Sequence, residues 1–186
     1  MDLDKVIKNR RSVKKFKSKK PNWRDILEAI DSARYAPMAG GNCNLKFILV
    51  DDKEKIQKMG DCCQQDFIKT VDFVVVACSK PSRILNAYGE EKGKIYSHQQ
   101  SGAAIENFLL SIQDKGLATC WVGHFVEDQV KKLLSIPDDV HIEALFPIGY
   151  EFSKPKTRKE PIDLDTILYF NKYKNKKMKP VKRFST

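Results

Sequence analysis

The sequence feature that most constrains the fold is the stretch from His98 to Gly123, HQQSGAAIENFLLSIQDKGLATCWVG. Its first two thirds repeat apolar residues at spacings of three to five and leave no fully polar face, which predicts a core helix. Gly116 follows as the left-handed residue expected just past a helix end. An apolar strand, Leu117 to Val122, comes next and ends at Gly123. This pattern is consistent with a plain buried core or with a core that holds a planar group.

The composition predicts one folded domain with no membrane segment. A length of 186 residues suits a single domain, and no apolar run approaches the ~20 residues that cross a bilayer. The N-terminus has no apolar signal core. The five cysteines include no CxxC pair, and the three histidines form no HxH or HExxH motif. We therefore expect a cytoplasmic location, with no metal site.

The net charge of +10 is concentrated at the two ends of the chain. Residues 1–24 carry ten basic and two acidic side chains, a net charge of +8, and residues 171–186 carry seven basic and no acidic ones, +7. Residues 25–170 therefore carry −5. This distribution argues against a basic groove for nucleic acid across the body.

A basic motif, RRSVKKF, follows a short amphipathic helix at the N-terminus. Arg10, Arg11 and Ser12 offer two guanidinium groups and a hydroxyl, with Lys14 two residues further on. These are the donors that a phosphate dianion requires. A solvated basic segment or a localisation signal is the alternative explanation of the motif.

A second candidate segment is the loop PMAGGNCN, which precedes a predicted strand at 45–51. Its amides suit the polar edge of a heterocycle, although Gly-Gly-Asn is also ordinary turn chemistry. The remaining pattern predicts a surface helix at 53–64, a fully buried strand at 72–79 and a loop or short helix at 80–97. Beyond the core helix we expect these elements: a helix at 126–134, a strand at 141–150 and a last short helix capped by Asp163.

Four separated stretches together resemble the FMN-dependent nitroreductases: RRSVKKF, APMAGGNCN, SGAAIENFLLSIQDKGLATCWVG, and PIGY followed by KPKTRKEP. They occur in that family's order, over about residues 1–170. The resemblance implies an α+β fold, with a mainly antiparallel sheet flanked by helices in an intertwined homodimer. We expect residues 1–170 to form a single FMN-binding domain and residues 171–186 a basic C-terminal tail.

The resemblance also implies how the FMN phosphate is held. Arg10, Arg11 and Ser12 would hold the phosphate and the ribityl chain, and Arg158 would add a cation from a distant part of the sequence. Lys14 would approach the pyrimidine side of the ring, where a cation favours the reduced flavin.

The resemblance implies contacts to the flavin ring as well. Asn42 would bond the flavin, and Asn44 stands where the family often has glutamine. Backbone N–H groups of Val122 and Gly123 would point towards it. The remaining ring contacts would come from the partner subunit: Pro37, Met38 and Ala39.

As a function, the resemblance implies an oxidoreductase that takes hydride from NADH or NADPH and reduces a nitroaromatic, quinone or flavin by a ping-pong mechanism, with no dedicated protein acid or base. One departure from the family is Gln100, which stands where an acidic residue is common. The alternatives are flavin fragmentation or reductive dehalogenation on the same fold, or a non-enzymatic flavin- or nucleic-acid-binding protein. Segment 80–97 would determine which of these enzymatic reactions occurs, because we expect it to cover the site where the acceptor binds.

Overall fold

The computed structural model describes residues 2–153 and 161–177. The chain divides into two units, Met1–Ser153 and Lys154–Thr186. The predicted domain boundary at residue 170 remains a prediction.

One antiparallel sheet lies at the centre of the first unit. Its strands follow the spatial order β1-β2-β4-β3, and every neighbouring pair is antiparallel. Together with the helices around it, this sheet gives the α+β class that the sequence predicts. The bounds are: β1 Leu45–Val50, β2 Phe73–Ser79, β3 Ala118–Thr119 and β4 His141–Gly149.

Seven α-helices occur in the described part of the chain, and the longest, α5, has 25 residues. Among the described residues no helix combines the length and the apolar character that crossing a bilayer requires. The bounds are: α1 Leu3–Asn9, α2 Trp23–Ser32, α3 Lys53–Cys63, α4 Ser82–Tyr88, α5 Glu90–Asp114, α6 Glu127–Leu134 and α7 Leu164–Ile167.

Apolar cores form on both faces of the sheet, because side chains alternate between the faces along each strand. On one face Val75 packs with Ile26 of α2 and Phe108 of α5. On the other face Val74 packs with Ile56 of α3. Strand β2 is buried at all seven positions, which confirms the fully buried strand predicted at 72–79.

Helix ends agree with the capping residues in the sequence. The Asn22 side chain accepts a hydrogen bond from the Arg24 backbone N–H at 3.1 Å, as an N-cap does. Gly116 has a φ of +71° just past α5. Asp163 caps α7 through the N–H of Asp165.

Segment 80–97 is helical, so the expectation of a loop is wrong and only the short helix is confirmed. Helix α4 and the first two turns of α5 fill it, separated at Gly89, whose φ is +77°. A Cβ at Gly93 would lie 2.9 Å from the Leu85 Cα, so this glycine lets the two helices approach closely. The segment reads as a loop in the sequence because an exposed helix face is as polar as a loop.

The strand predicted at Leu117–Val122 is shorter than expected. Continuous pairing with β4 covers only β3, and Val122 joins Leu145 through an isolated antiparallel bridge. Cys120 and Trp121 between them make no strand pairing; Cys120 is buried, whereas Trp121 is 41% exposed.

Candidate functional site

The N-terminal basic motif lies directly beside the strand that follows the core helix. Ser12 forms a parallel bridge with Thr119 of β3, and the Val13 backbone N–H donates to the Thr119 carbonyl at 2.9 Å. Two of the motifs singled out in the sequence, more than a hundred residues apart, therefore meet at one edge of the sheet.

Arg11 is already bound to a carboxylate. Its guanidinium forms a two-pronged ion pair with Glu151, with Nε 2.9 Å from Oε1, and it also donates to the Asn9 carbonyl at 3.2 Å. This pair joins the basic motif to the residue that follows β4. The predicted phosphate contact of Arg11 stays a prediction, and it would require the guanidinium to leave Glu151.

Arg10, Ser12 and Lys14 are less committed to other groups. Arg10 Nε lies 3.3 Å from Glu106 Oε1 on α5, and the arginine side chain is 35% exposed. Ser12 and Lys14 are exposed, and the Lys14 ammonium lies 5.5 Å from the centre of the Phe67 ring. Among the described residues Lys14 has no carboxylate partner.

The buried cysteines behave as apolar core residues, as the sequence predicts for Cys78 and Cys120. Burial raises the pKa of the Cys120 thiol, against the lowering effect of the Lys14 charge and of a hydrogen bond with Ser12. Burial raises the pKa of Cys78 to about 11 and that of Cys63 to about 12. These side chains are therefore neutral thiols at neutral pH.

The loop before β1 forms one wall of a surface cavity of about 310 Å³ whose other wall is α5. Pro37, Met38 and Ala39, predicted to line a flavin from the partner subunit, are together in this wall. The lining residues are: Pro37, Met38, Ala39, Tyr96, Gln99, Gln100 and Ala103.

The two asparagines of the loop bond to the protein itself. Asn42 donates weakly to the carbonyls of Ala39 and Gly40, at 3.3 and 3.4 Å, and its side chain is partly exposed. Asn44 is 3% exposed and bonds to Ser97 at 2.6 Å and to Gln100. A buried amide with two internal partners supports the loop, and the predicted contact of Asn44 with a flavin stays a prediction.

The backbone N–H of Val122 is also taken. It donates to the Leu145 carbonyl at 3.0 Å, so a contact of this N–H with a flavin stays a prediction and would require that bond to break. Gly123 is exposed, and its predicted contact stays a prediction. Arg158 lies outside the described residues.

The sequence interpretation noted Gln100 only as a departure from the family, and it missed the structural roles of three polar residues in this part of the molecule: Gln100, Ser97 and Glu151. Each is a polar side chain inside or next to an apolar stretch, which is the signal that could have found them. Thr119 Oγ1, between the basic motif and the core, is buried without a hydrogen-bond partner in the described part of the chain. A second missed cluster lies on the far side of α5, where Glu143 accepts a bond from Ser79 at 2.5 Å and lies 3.2 Å from His98.

Comparison with known proteins identifies a protein family and relatives that this chain resembles over most of its length. A family model described as the nitroreductase family matches residues 7–72 and 60–150. A protein of Archaeoglobus fulgidus, provisionally named an NADH dehydrogenase/NAD(P)H nitroreductase, is 26% identical over 166 residues, which cover 87% of this chain and 90% of that protein. The iodotyrosine deiodinase of Thermotoga neapolitana is 27% identical over 169 residues, covering 81% and 90%.

Solved structures share the fold over nearly the whole chain. The crystal structure of a nitroreductase family protein from Clostridium novyi NT superposes with a TM-score of 0.75 and 28% identity. The match covers 94% of this chain and 96% of that one.

Proposed function

The chain belongs to the nitroreductase family, and on that premise we propose that it is an FMN-dependent oxidoreductase that takes hydride from NADH or NADPH and reduces a small aromatic acceptor. The observation that carries the proposal is the pairing of Ser12 and Val13 with Thr119. It brings the basic motif next to the strand and glycine that follow the core helix. The names of the relatives in Archaeoglobus and Thermotoga, a nitroreductase and a deiodinase, support a reductase.

The residues at this site fit a ligand with a phosphate at one end. Arg10 Nε lies 3.3 Å from Glu106 Oε1 and the arginine side chain is 35% exposed, so its guanidinium can also donate to an anion. The exposed Ser12 hydroxyl adds a neutral donor for the phosphate, and Lys14 supplies the cation for the pyrimidine side of the ring. FMN, when bound, would supply two-electron chemistry, accepting hydride from the nicotinamide and passing it to the acceptor.

The role of the protein in this reaction is to bind the cofactor, orient it and shield it from water. The positive charge of Arg10 would fix the phosphate end, and that of Lys14 would favour a negatively charged reduced ring. The apolar wall formed by Pro37, Met38 and Ala39 excludes water from one side. The titratable side chain in the described lining is Tyr96, which agrees with a reaction that needs no dedicated acid or base and relies on positioning.

The proposal includes an intertwined homodimer in a cytoplasmic location. In it the loop of Pro37 to Ala39 would cover the ring held mainly by the other protomer, so neither protomer would bind FMN well alone. All five cysteines are free thiols, which suits a reducing compartment.

Reductive dehalogenation of a phenol is the second candidate function. It is favoured by the relative in Thermotoga neapolitana that is named an iodotyrosine deiodinase. The edge-to-face pair of Tyr88 and Tyr96, with ring centres 5.1 Å apart, places an aromatic surface at the cavity that an aromatic acceptor could use. Turnover of a nitroaromatic and of an iodophenol under the same conditions separates the two candidates.

The deciding experiment is spectroscopic. Purified protein reconstituted with FMN should be yellow, and the flavin absorption should bleach on adding NADH or NADPH under nitrogen. Adding a nitroaromatic or a quinone should then restore it, with two electrons transferred per FMN. Protein that takes up no FMN, or whose bound FMN is reduced by neither nicotinamide, would refute the proposal.

A further inference from the structure

Gln100 is a buried polar residue in the middle of the core helix. Its side chain is 4% exposed, although the helix around it is packed against the apolar core. A buried side-chain amide is costly unless its groups are hydrogen-bonded. The groups that Gln100 bonds therefore indicate why it is there.

Gln100 bonds three groups of the loop before β1. Its Oε1 accepts the Ala39 backbone N–H at 3.0 Å. Its Nε2 donates to the Asn42 carbonyl at 3.0 Å and to Asn44 Oδ1. One side chain thus satisfies a backbone donor and a backbone acceptor on either side of Gly40 and Gly41.

The loop needs such support because its own conformation is unusual. Gly40 and Gly41 both have positive φ, +54° and +71°, and glycine loses more conformational freedom on ordering than any other residue. Both glycines belong to a single turn of 3-10 helix, Ala39–Gly41. A loop held by so few local bonds depends on contacts from its neighbours.

The base of the loop is fixed by the same helix. Asn44, which receives the bond from Gln100, donates in turn to Ser97 Oγ at 2.6 Å, one helical turn earlier. Ser97 and Asn44 are both buried, at 2% and 3% exposure. The network from Ser97 through Asn44 to Gln100 therefore joins α5 to both ends of the glycine turn.

We propose that Gln100 is a positioning residue for the cofactor: by holding Ala39 and Asn42, it sets the shape of the loop wall that contacts FMN. This inference rests on the proposed function. Gln100 acts through the loop, because nearly all of its side chain is covered by the protein.

Two substitutions separate the roles of the amide. Gln100→Leu keeps the approximate length of the side chain and removes both the acceptor for Ala39 and the donor for Asn42. Gln100→Glu keeps the acceptor and removes the donor. Asn44 can turn its amide to face a carboxylate, since its oxygen and nitrogen exchange places on a flip. The Asn42 carbonyl has no such freedom and would face a negative charge.

The first experiment measures the loop without cofactor. Amide hydrogen exchange by NMR on the FMN-free protein should show Ala39 exchanging about tenfold faster in Gln100→Leu than in wild type, as expected for losing the partner of one buried hydrogen bond. The matched control is Gln113→Leu, in the last turn of the same helix, which should leave Ala39 unchanged. Equal exchange at Ala39 in the two variants would overturn the proposal.

The second experiment measures the cofactor. Gln100→Leu and Gln100→Glu should each raise the FMN dissociation constant about tenfold or more at pH 8, with Gln113→Leu unchanged. Lowering the pH should restore affinity in Gln100→Glu alone, because a protonated carboxyl again donates to the Asn42 carbonyl. Wild type and Gln113→Leu titrated in parallel correct for every other effect of pH on FMN binding.

The outcomes distinguish this inference from the proposed function. Wild type that binds FMN while both Gln100 variants bind it equally tightly would refute the positioning role and leave the proposed function standing. Wild type that binds no FMN would refute the proposed function, and amide exchange alone would then decide whether Gln100 holds the loop. Loss of affinity in Gln100→Glu without recovery at low pH would also count against the role, because it would indicate general disruption.

Discussion

Adjacent arginines in one motif are bound in different ways, and this decides which of them can serve a ligand. Arg11 and Glu151 form a two-pronged pair whose side chains are only 28% and 21% exposed. A geometry of this kind is stabilising because both charges are satisfied and partly shielded from water. Arg10 Nε lies 3.3 Å from a carboxylate oxygen of the half-exposed Glu106, a longer contact than that of Arg11. We therefore propose that Arg10 binds the phosphate and that Arg11 anchors the motif.

Substitution of the two arginines should separate these roles. Arg10→Gln should weaken FMN binding about tenfold or more with little change in the free energy of unfolding, since it removes a charge-assisted bond to the phosphate. Arg11→Gln should lower the free energy of unfolding by about 1–3 kcal/mol, because it leaves Glu151 partly buried without its partner. FMN titration and urea unfolding measure the two quantities.

Arg83→Gln, at an exposed position of α4, is the control for removing a positive charge, and it should change neither quantity. If Arg11→Gln weakened FMN binding more than Arg10→Gln at unchanged stability, the assignment of the two arginines would be reversed.

The thiols offer a second test at the scale of single residues. Cys43 is exposed and the other four cysteines are buried, so native protein at pH 8 should react rapidly with one equivalent of a thiol reagent and unfolded protein with five. Rapid reaction of two or more thiols in the native state would contradict the burial.

The same burial predicts how stability depends on pH. The pKa of Cys63 is raised to about 12 in the folded state, so the folded state retains a proton that the unfolded state loses above pH 9. The free energy of unfolding should therefore fall as the pH rises from about 9 towards 12.

At the scale of secondary structure, the sequence predicts elements whose pattern is local. The surface helix at 53–64 and the capping residue Asn22 were both confirmed, because helical periodicity and capping depend on neighbouring residues. The mainly antiparallel sheet came from the family resemblance, since strand order depends on distant contacts. For segment 80–97 the sequence left a loop and a short helix both open, because polar composition alone does not distinguish an exposed helix from a loop, and the structure shows helices.

The site was predictable to a similar extent. The meeting of the basic motif with the strand after the core helix follows from the family's motifs, and the structure brings Ser12 to Thr119. The partners of individual groups were not predictable. The Leu145 carbonyl accepts the N–H of Val122, and Glu151 pairs with Arg11. Both partners lie in β4 or just after it, far along the chain from at least one of the groups they bond. Only the folded chain shows which polar groups are already satisfied.

The glycine turn is the element whose conformation is easiest to test. A Cβ at Gly40 would lie 2.5 Å from Tyr88 Oη, whereas a Cβ at Gly41 would meet nothing within 4 Å. Both residues have positive φ, so alanine at either position carries a cost of about 1–2 kcal/mol for the left-handed conformation. Gly40→Ala should therefore lower the melting temperature more than Gly41→Ala.

In a Tyr88→Phe background the difference between the two substitutions should become smaller, because the hydroxyl that the new Cβ strikes is gone and the next contact, with Asn42 Nδ2, is 3.3 Å away. Thermal unfolding followed by circular dichroism provides the measurement. An unchanged difference between the two glycine variants after Tyr88→Phe would show that Tyr88 does not confine the turn.

At the scale of the whole molecule, apolar side chains remain exposed on helices of both units. In the first unit Leu3 and Ile7 of α1 are 64% and 53% exposed. In the second unit Leu164 and Ile167 of α7 are 62% and 68% exposed. Exposed apolar surface on short amphipathic helices is typical of surfaces covered by another chain, which supports the proposed homodimer.

The homodimer makes a joint prediction about mass and cofactor. Size-exclusion chromatography with light scattering should give a mass twice that of the 21.4 kDa chain. Leu3→Glu combined with Ile7→Glu should shift it towards the monomer by placing charges in an apolar contact. Because the loop of Pro37 to Ala39 would contact the ring bound by the other protomer, the monomeric variant should also bind FMN at least about tenfold more weakly.

The control is Lys5→Glu, a change at an exposed position of the same helix, which should leave both the mass and the FMN affinity as in wild type. A monomeric variant that kept full FMN affinity would show that one chain completes the site, and the shared-site part of the proposal would be wrong.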